Sequence, residues 1–424
     1  MKKIVNELLD EIYYQEILDN KLEVIIVHKP EFVSTSCAFG SAFGSLNIRQ
    51  RVNGEEINFN SGLAHFLEHK LFESDDEDIM VKFNKMGIFV NAYTSFDYTI
   101  YHFNTSKLDI EKPINLLLDF VQQLNISDES IEKEKGIIKQ ELIMYDNNIN
   151  FLLYKEVLNR MYNQHPIRYD IGGDIDSISK ITKKELEDAY NINYHPSNMK
   201  FVVTTGVDPY KIIDIIKKNQ SKKSFVCPNN IINYYQEIDR DIKENYHVIN
   251  RKVNKEVLVY GFKLNYKFVD QQKSYKDRLA LNILFEMIFN EFNPDYINWV
   301  NDNIIDMFYS FSLELGNGYA HLLFFNSCTK ENEFIELIDK LLSEINDLLV
   351  QDEQIEFIKK RILSSKFNTM NVISDLNDAC IKAALMGLSF YDNIKIIKEI
   401  DKNYILNLFN QLDFNNKILV KVKK

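Results

Sequence analysis

His65, Glu68 and His69, within Gly62-Leu-Ala-His-Phe-Leu-Glu-His-Lys-Leu-Phe-Glu73, have the types and spacing that metal chemistry requires. The apolar periodicity of this stretch predicts a helix over 61–72. Residues four apart on a helix lie one turn above each other, so the two imidazoles share a face. Two rings so placed can hold one Zn²⁺ at about 2.0–2.1 Å each. Glu68, three residues after His65, lies near the same face, where it can take a proton from a water that the metal activates. The plain alternative is two histidines packed on an amphipathic helix. A third ligand would decide between them.

Ile126-Ser-Asp-Glu-Ser-Ile-Glu-Lys-Glu134-Lys-Gly-Ile-Ile-Lys-Gln-Glu141-Leu-Ile-Met-Tyr supplies a candidate. It reads as a helix, with Ser127 or Asp128 as its cap and Glu134 and Glu141 seven apart on one face. A zinc site of two histidines and one glutamate leaves a position open for water, the catalytic arrangement. Glu141 is the candidate ligand, and Glu134 a carboxylate able to orient a histidine from behind. Acids on a helix ordinarily form a solvated charged face, so this pairing needs support from elsewhere.

Strands and helices must bring these stretches together. Leu22–His28 and Val33–Phe43 read as strands, and Ile88–Thr94 with Tyr98–Phe103 as a hairpin. Helical patterns follow near 108–124, 127–148, 150–162 and 182–193, then a strand over Met199–Thr205 and a helix opened by Asp208-Pro. The stretch from about 219 to 245 is polar and poorly periodic, which suggests a linker. After it the plan repeats: a strand over Val257–Leu264, a helix over Lys273–Phe292, strands at 305–314 and 318–326, and a closing strand over Lys417–Val422. Thr182-Lys-Lys-Glu leading through Pro196-Ser-Asn into Phe201-Val-Val has a counterpart in Asp401-Lys-Asn-Tyr leading through Phe414-Asn-Asn into Ile418-Leu-Val. Both are helix, polar turn, strand, as an internal duplication would leave. The expected domains are 1–222, a linker at 223–245, and 246–424.

Composition narrows the function classes. A chain of 424 residues suits two domains, and 45% hydrophobic with 26% charged residues is the balance of a soluble globular protein. No run of eighteen apolar residues exists, so no membrane span is expected. Acids interrupt Met1–Asp10 before a signal region forms, which leaves a cytoplasmic protein as the expectation. Cys37, Cys227, Cys328 and Cys380 lie far apart and suit reduced, buried thiols. A net charge of −12 with eight arginines and no basic tract argues against nucleic acid.

Taken together, the motifs resemble the pitrilysin/insulysin family of zinc peptidases, which includes the mitochondrial processing peptidase, and are most like its bacterial YmfH-type members. The likeness is carried by His65-Phe-Leu-Glu-His69 with Lys-Leu-Phe-Glu, and Asn91-Ala-Tyr-Thr-Ser95 with Asp97 and Thr99. Glu132-Lys-Glu134 through Gln-Glu141 with Met144-Tyr-Asp follows, then His165-Pro, Gly172-Gly173 and Tyr194-His-Pro-Ser-Asn-Met199. These occur in the family's order. The resemblance implies an α+β fold of two homologous halves, each a mostly antiparallel sheet backed by helices, as in the mitochondrial processing peptidase. It implies Zn²⁺ held by His65, His69 and Glu141, Glu68 as general base and Glu134 as supporting carboxylate. Asn91, Ala92, Tyr93 and Thr94 would lie on an edge strand that pairs with the backbone of a peptide substrate. Read without the resemblance, 88–95 is a core strand.

The second half departs from the family pattern. An Arg about seven residues before a Tyr is usual there in members with a complete site. Glu314-Leu-Gly-Asn-Gly-Tyr319 resembles the Tyr end, but Ser312 stands at the Arg position and no arginine lies between Arg278 and Arg361. A related subunit carrying the Arg/Tyr pair would complete the site in a heterodimer; an active homodimer is the rival. A non-catalytic or weakly active scaffold or peptide-binding subunit, and a zinc hydrolase of other substrates, are the competing functions. His28, His102, His247 and His321 read as packing or surface residues, and His165 and His195, each before a proline, as shapers of turns.

Overall fold

The computed structural model describes every residue except 7–8, 75–76, 107–108, 227–229, 236–240, 328–329 and 346–350. Cys227 and Cys328 lie outside the described residues, while Cys37 and Cys380 are free and buried. The chain divides into two units. The first comprises Met1–Leu142, Asp170–Tyr234 and Lys366–Asp392; the second comprises Ile143–Tyr169, Tyr235–Ser365 and Asn393–Lys424.

In the first unit, β1 (Lys2–Asn6), β2 (Glu11–Ile17), β3 (Glu23–His28) and β4 (Thr35–Ser41) are followed by the short β5 (Arg49–Val52) and β6 (Glu55–Asn58). β7 (Phe89–Thr94), β8 (Thr99–Thr105), β9 (Met199–Thr205) and β10 (Ile231–Asn233) complete its strands. The main sheet has the order β1-β2-β3-β9-β4-β8-β7, and β10-β5-β6 form a small second sheet. Only β3 and β9 run parallel; every other pair in the main sheet is antiparallel. Its helices are α1 (Leu63–Leu71), α2 (Ile79–Lys85), α3 (Glu111–Val121) and most of α4 (Asp128–Asp146).

α5 (Ile149–Met161) belongs to the second unit, whereas α6 (Ile175–Lys180), α7 (Lys183–Asn193) and α8 (Pro209–Gln220) return to the first. The second unit is built from β11 (Tyr246–Asn250), β12 (Val257–Lys263), β13 (Ser310–Gly316), β14 (Tyr319–Asn326) and β15 (Lys417–Lys423). Their order is β11-β15-β12-β14-β13. Around them stand α9 (Gln271–Phe289), α10 (Tyr296–Asn301), α11 (Glu331–Glu344), most of α12 (Asp352–Met370), α14 (Asp392–Glu399) and α15 (Lys402–Phe409). α13 (Ile373–Leu385) belongs to the first unit.

The two sheets repeat one plan. β3-β9-β4-β8-β7 matches β11-β15-β12-β14-β13 strand for strand, including a single parallel pair, β3 with β9 and β11 with β15. The duplication expected from the 182–203 and 401–420 segments is therefore real: they are α7 with β9 and α15 with β15. In each the helix is capped by a side chain, Thr182 accepting from the Glu185 N–H and Asp401 from the Tyr404 N–H. The position of α5 in the first repeat is that of α13 in the second, and the two helices are exchanged. α13 packs on β4 and β9, while α5 packs on β12 and β15. Leu376, Cys380, Ile381 and Ala383 of α13 are thus buried against Val27, Ala38, Ile100 and Val202.

Candidate metal centre

α1 is a nine-residue helix whose buried residues include Leu63, Ala64, Phe66, Leu67 and Leu71. Its start is set by glycine. Gly62 has φ 86°, and a Cβ there would lie 2.4 Å from the Gly172 carbonyl oxygen. Gly173, φ 78°, approaches the Ser61 carbonyl just as closely, at 2.5 Å from its own notional Cβ. Side chains at these points would force the 170–174 turn away from the helix end.

α4 runs beside this helix with Ile131, Ile138 and Leu142 buried. Its two acids reach the histidines. Glu141 Oε2 stands 3.8 Å from His65 Nε2 and 3.7 Å from His69 Nε2. One ligand atom from each of the three residues lies within 4.8 Å of the others. A tetrahedral ion with bonds near 2.0–2.2 Å sets its donors about 3.3–3.6 Å apart, so Glu141 would close on each ring by a few tenths of an ångström. Glu134 Oε1 is 2.9 Å from His69 Nδ1. With that nitrogen donating to the carboxylate, Nε2 keeps its lone pair for a metal. His65 Nδ1 is buried with no hydrogen-bond partner among the described residues. The donor set, two imidazoles and a carboxylate with a carboxylate behind one ring, fits Zn²⁺.

Electrostatics grade the four groups. Burial, reinforced by His69, drops His65 to about 3, which keeps its imidazole neutral. For His69, burial pulls downward, but the Glu134 hydrogen bond and the carboxylates of Glu68, Glu134 and Glu141 outweigh it and leave a net rise. Glu134 is likewise pushed up by burial and pulled further down by His69, ending below its ordinary value. Glu68 ends above its ordinary value because burial exceeds the contribution of Thr94. The Thr94 hydroxyl donates to Glu68 Oε2 at 2.6 Å and so fixes the carboxyl's orientation.

Thr94 lies on β7, which is an edge strand, not the core strand that 88–95 suggests by itself. The Ser95 N–H bonds the Tyr98 carbonyl at the turn. Alternation along an antiparallel pair then turns the backbone groups of Ala92 and Thr94 away from β8, towards the open edge. The Ala92 N–H is covered by the Asn91 side chain at 2.9 Å. Thr94 presents its side chain to Glu68, while the Tyr93 hydroxyl donates to Asp378 of α13. Tyr319 stands in the second unit at the head of β14, its ring against His165 and His321. Ser312 is on β13, and Arg278 of α9 donates to Glu314 at 2.9 Å.

Comparison with known proteins adds the lineage. Residues 55–174 match the model of the insulinase peptidases, family M16, and residues 180–362 match the M16 inactive domain. The chain belongs to peptidase family M16. Among M16 proteins it is 31% identical to an uncharacterized zinc protease, YmfH of Bacillus subtilis, over 97% of this chain and 96% of that one. The crystal structure of a putative M16-like peptidase from Alicyclobacillus acidocaldarius superposes with a TM-score of 0.91 at 29% identity, covering 97% of both chains. A protease from Helicobacter pylori shares the fold at 20% identity and a TM-score of 0.82, covering 98% of this chain and 100% of that one. The M16 fold accounts for the two homologous halves.

Two residues of this neighbourhood escaped the sequence reading in their present roles. Thr94 was expected to meet substrate through its backbone, and its hydroxyl also holds Glu68. Lys70 has no role of its own in that reading, and it is fully buried. His165 and His195 do shape their turns, each accepting an N–H two residues on, from Ile167 and Ser197.

Proposed function

We propose that this chain is a zinc-dependent endopeptidase acting on peptides or small unfolded proteins, the catalytic member of a dimer. The observation that carries the reading is the convergence of His65, His69 and Glu141 from two helices, with Glu68 alongside. His65, His69 and Glu141 would hold the metal. When bound, Zn²⁺ supplies Lewis acidity, polarising a carbonyl and making water acidic. Glu134 holds the His69 ring with its Nδ1 proton outward from the site. Glu68, buried and steadied by Thr94, takes a proton from the attacking water on its free oxygen and returns it to the leaving amine. The outward backbone groups of Ala92 and Thr94 take the peptide as an added strand, with Asn91 swinging off the Ala92 N–H. Such pairing grips any extended peptide with little regard to sequence.

The electrophilic arginine is the missing part. Ser312 cannot stabilise an oxyanion as a guanidinium does, and Arg278 is held by Glu314. A related subunit with an Arg/Tyr pair supplies it in this reading, Tyr319 being what this chain retains. The free buried thiols Cys37 and Cys380 suit a reducing compartment, the cytoplasm. Metal analysis with a peptide-cleavage assay, run with and without related subunits, tests the whole. Full turnover by the purified chain alone would remove the heterodimer. Glu68→Gln should retain zinc and lose at least about a hundredfold in turnover, the contribution of a general base; unchanged turnover would remove Glu68 as the base.

A further inference from the structure

Lys70 has no part in the chemistry above, and its side chain has no solvent exposure at all. Taking an ammonium out of water costs several kcal/mol unless its partners compensate. The partners are the Glu73 carboxylate, one turn on, and the backbone carbonyl of Ser130 at 3.2 Å. Ser130 lies in the first turn of α4. In an α-helix that carbonyl also receives the N–H of the residue four further on, here Glu134.

The contacts from α1 to α4 therefore form a ladder. Lys70 meets Ser130, His69 meets Glu134 at 2.9 Å, and both histidines face Glu141 at 3.7 and 3.8 Å. The rungs span eleven residues of α4, about 16 Å along its axis. An axial slip of one residue would carry each carboxylate about 1.5 Å, enough to part Glu141 from one ring. Apolar packing between helices is non-directional and resists such a slip weakly. An ammonium fixed at one end to α1 and pointing at one carbonyl resists it directly. The same charge also favours the ionised form of Glu134.

We propose that Lys70 is a positioning residue of the metal centre: its buried ammonium fastens the first turn of α4 to α1 and sets the register at which Glu134 and Glu141 meet the histidines. This rests on the zinc-site reading above. The test compares the full-length wild type and Lys70→Met, metal-free, by circular dichroism, then by zinc affinity against a chromophoric chelator and by the visible spectrum with saturating Co²⁺. Methionine fills the same space without the charge. The expected result is a wild-type dichroism spectrum, zinc held about 10–100-fold more weakly, as for loss of an outer partner, and shifted cobalt bands. The cobalt bands report ligand geometry at saturation, which a mere loss of stability leaves unmoved. Zinc affinity and cobalt bands equal to wild type would overturn the proposal. Should Lys70→Met not fold, Glu73→Gln decides: it leaves Lys70 without its anchoring charge, and a smaller loss of zinc affinity is expected, no loss being the overturning result. A wild type that takes up no zinc would instead overturn the metal reading itself.

Discussion

At the residue scale, the site depends on how few groups do several things. Glu134 keeps one ring of the pair in the right tautomer, and its own charge is secured by that ring. Glu134→Gln should weaken zinc binding by about 10–100-fold, whereas Glu141→Gln, which removes a donor, should weaken it further; chelator competition gives the order. An inverted order would exchange the roles of the two acids. Both histidines and Glu68 were legible because helical period alone puts residues three and four apart on one face. Glu141 was legible as a candidate, since seven residues make two turns, but its partner helix was supplied only by the family likeness. Lys70 was illegible. Nothing in a lysine flanked by His69 and Leu71 says that Ser130, sixty residues on, will cover it.

Elements explain why the site is open on one side. β7 ends the sheet, and its hydrogen-bond alternation leaves Ala92 facing out with the Asn91 side chain upon its N–H. Ala92→Pro removes that donor at a position where the sheet itself loses no bond. We expect zinc content and folding to be kept and kcat/KM for an unstructured peptide to fall about tenfold, the value of one hydrogen bond in a dry cleft; an unchanged kcat/KM would mean that substrate does not add to β7. The strand was legible as a strand but as an edge only through the family likeness, because Ile88 to Thr94 has the β-branched and aromatic make-up of an interior one. The small β10-β5-β6 sheet was not legible at all. β5 and β6 carry four charges in eight residues, Arg49, Arg51, Glu55 and Glu56, and β10 joins them from some 180 residues away. α9 shows what the duplicated half does with the place of α1. It carries no histidine, and its fully buried Asp277 accepts from Tyr266 at 2.8 Å, from Tyr404 and from Lys273, so the buried polar group there ties helices and loops and holds no metal ligands.

For the whole molecule, acid sensitivity has a source outside the metal centre, a buried histidine that adds to the effect of His65. His321 is completely buried beside Tyr162, and burial lowers it to about 3. Between that value and about 6.5, the unfolded chain binds a proton that the folded one refuses, so stability falls as pH falls through this window. The slope from this group approaches about 1.4 kcal/mol per pH unit. His321→Gln, which can still bond Tyr162, should flatten the pH dependence of the urea midpoint between pH 6 and 4; an unaltered slope would show that His321 is not its source. The halves and their duplication were legible in outline, through repeated helix–turn–strand patterns. The exchange of α5 and α13 was not, because an amphipathic helix does not announce which of two similar sheets it will cover.

That exchange bears on synthesis. As the chain leaves the ribosome, His65 to Glu141 emerge well before α13, yet the apolar face of β4 and β9 stays bare until Leu376, Ile381 and Phe390 arrive. A truncated product ending near 234 should therefore remain loosely ordered and bind hydrophobic dyes, and adding the 235–424 piece should restore its cooperative melting. A nascent or broken chain lacking α13 would then carry His65, His69 and Glu141 without a settled frame to bring them together.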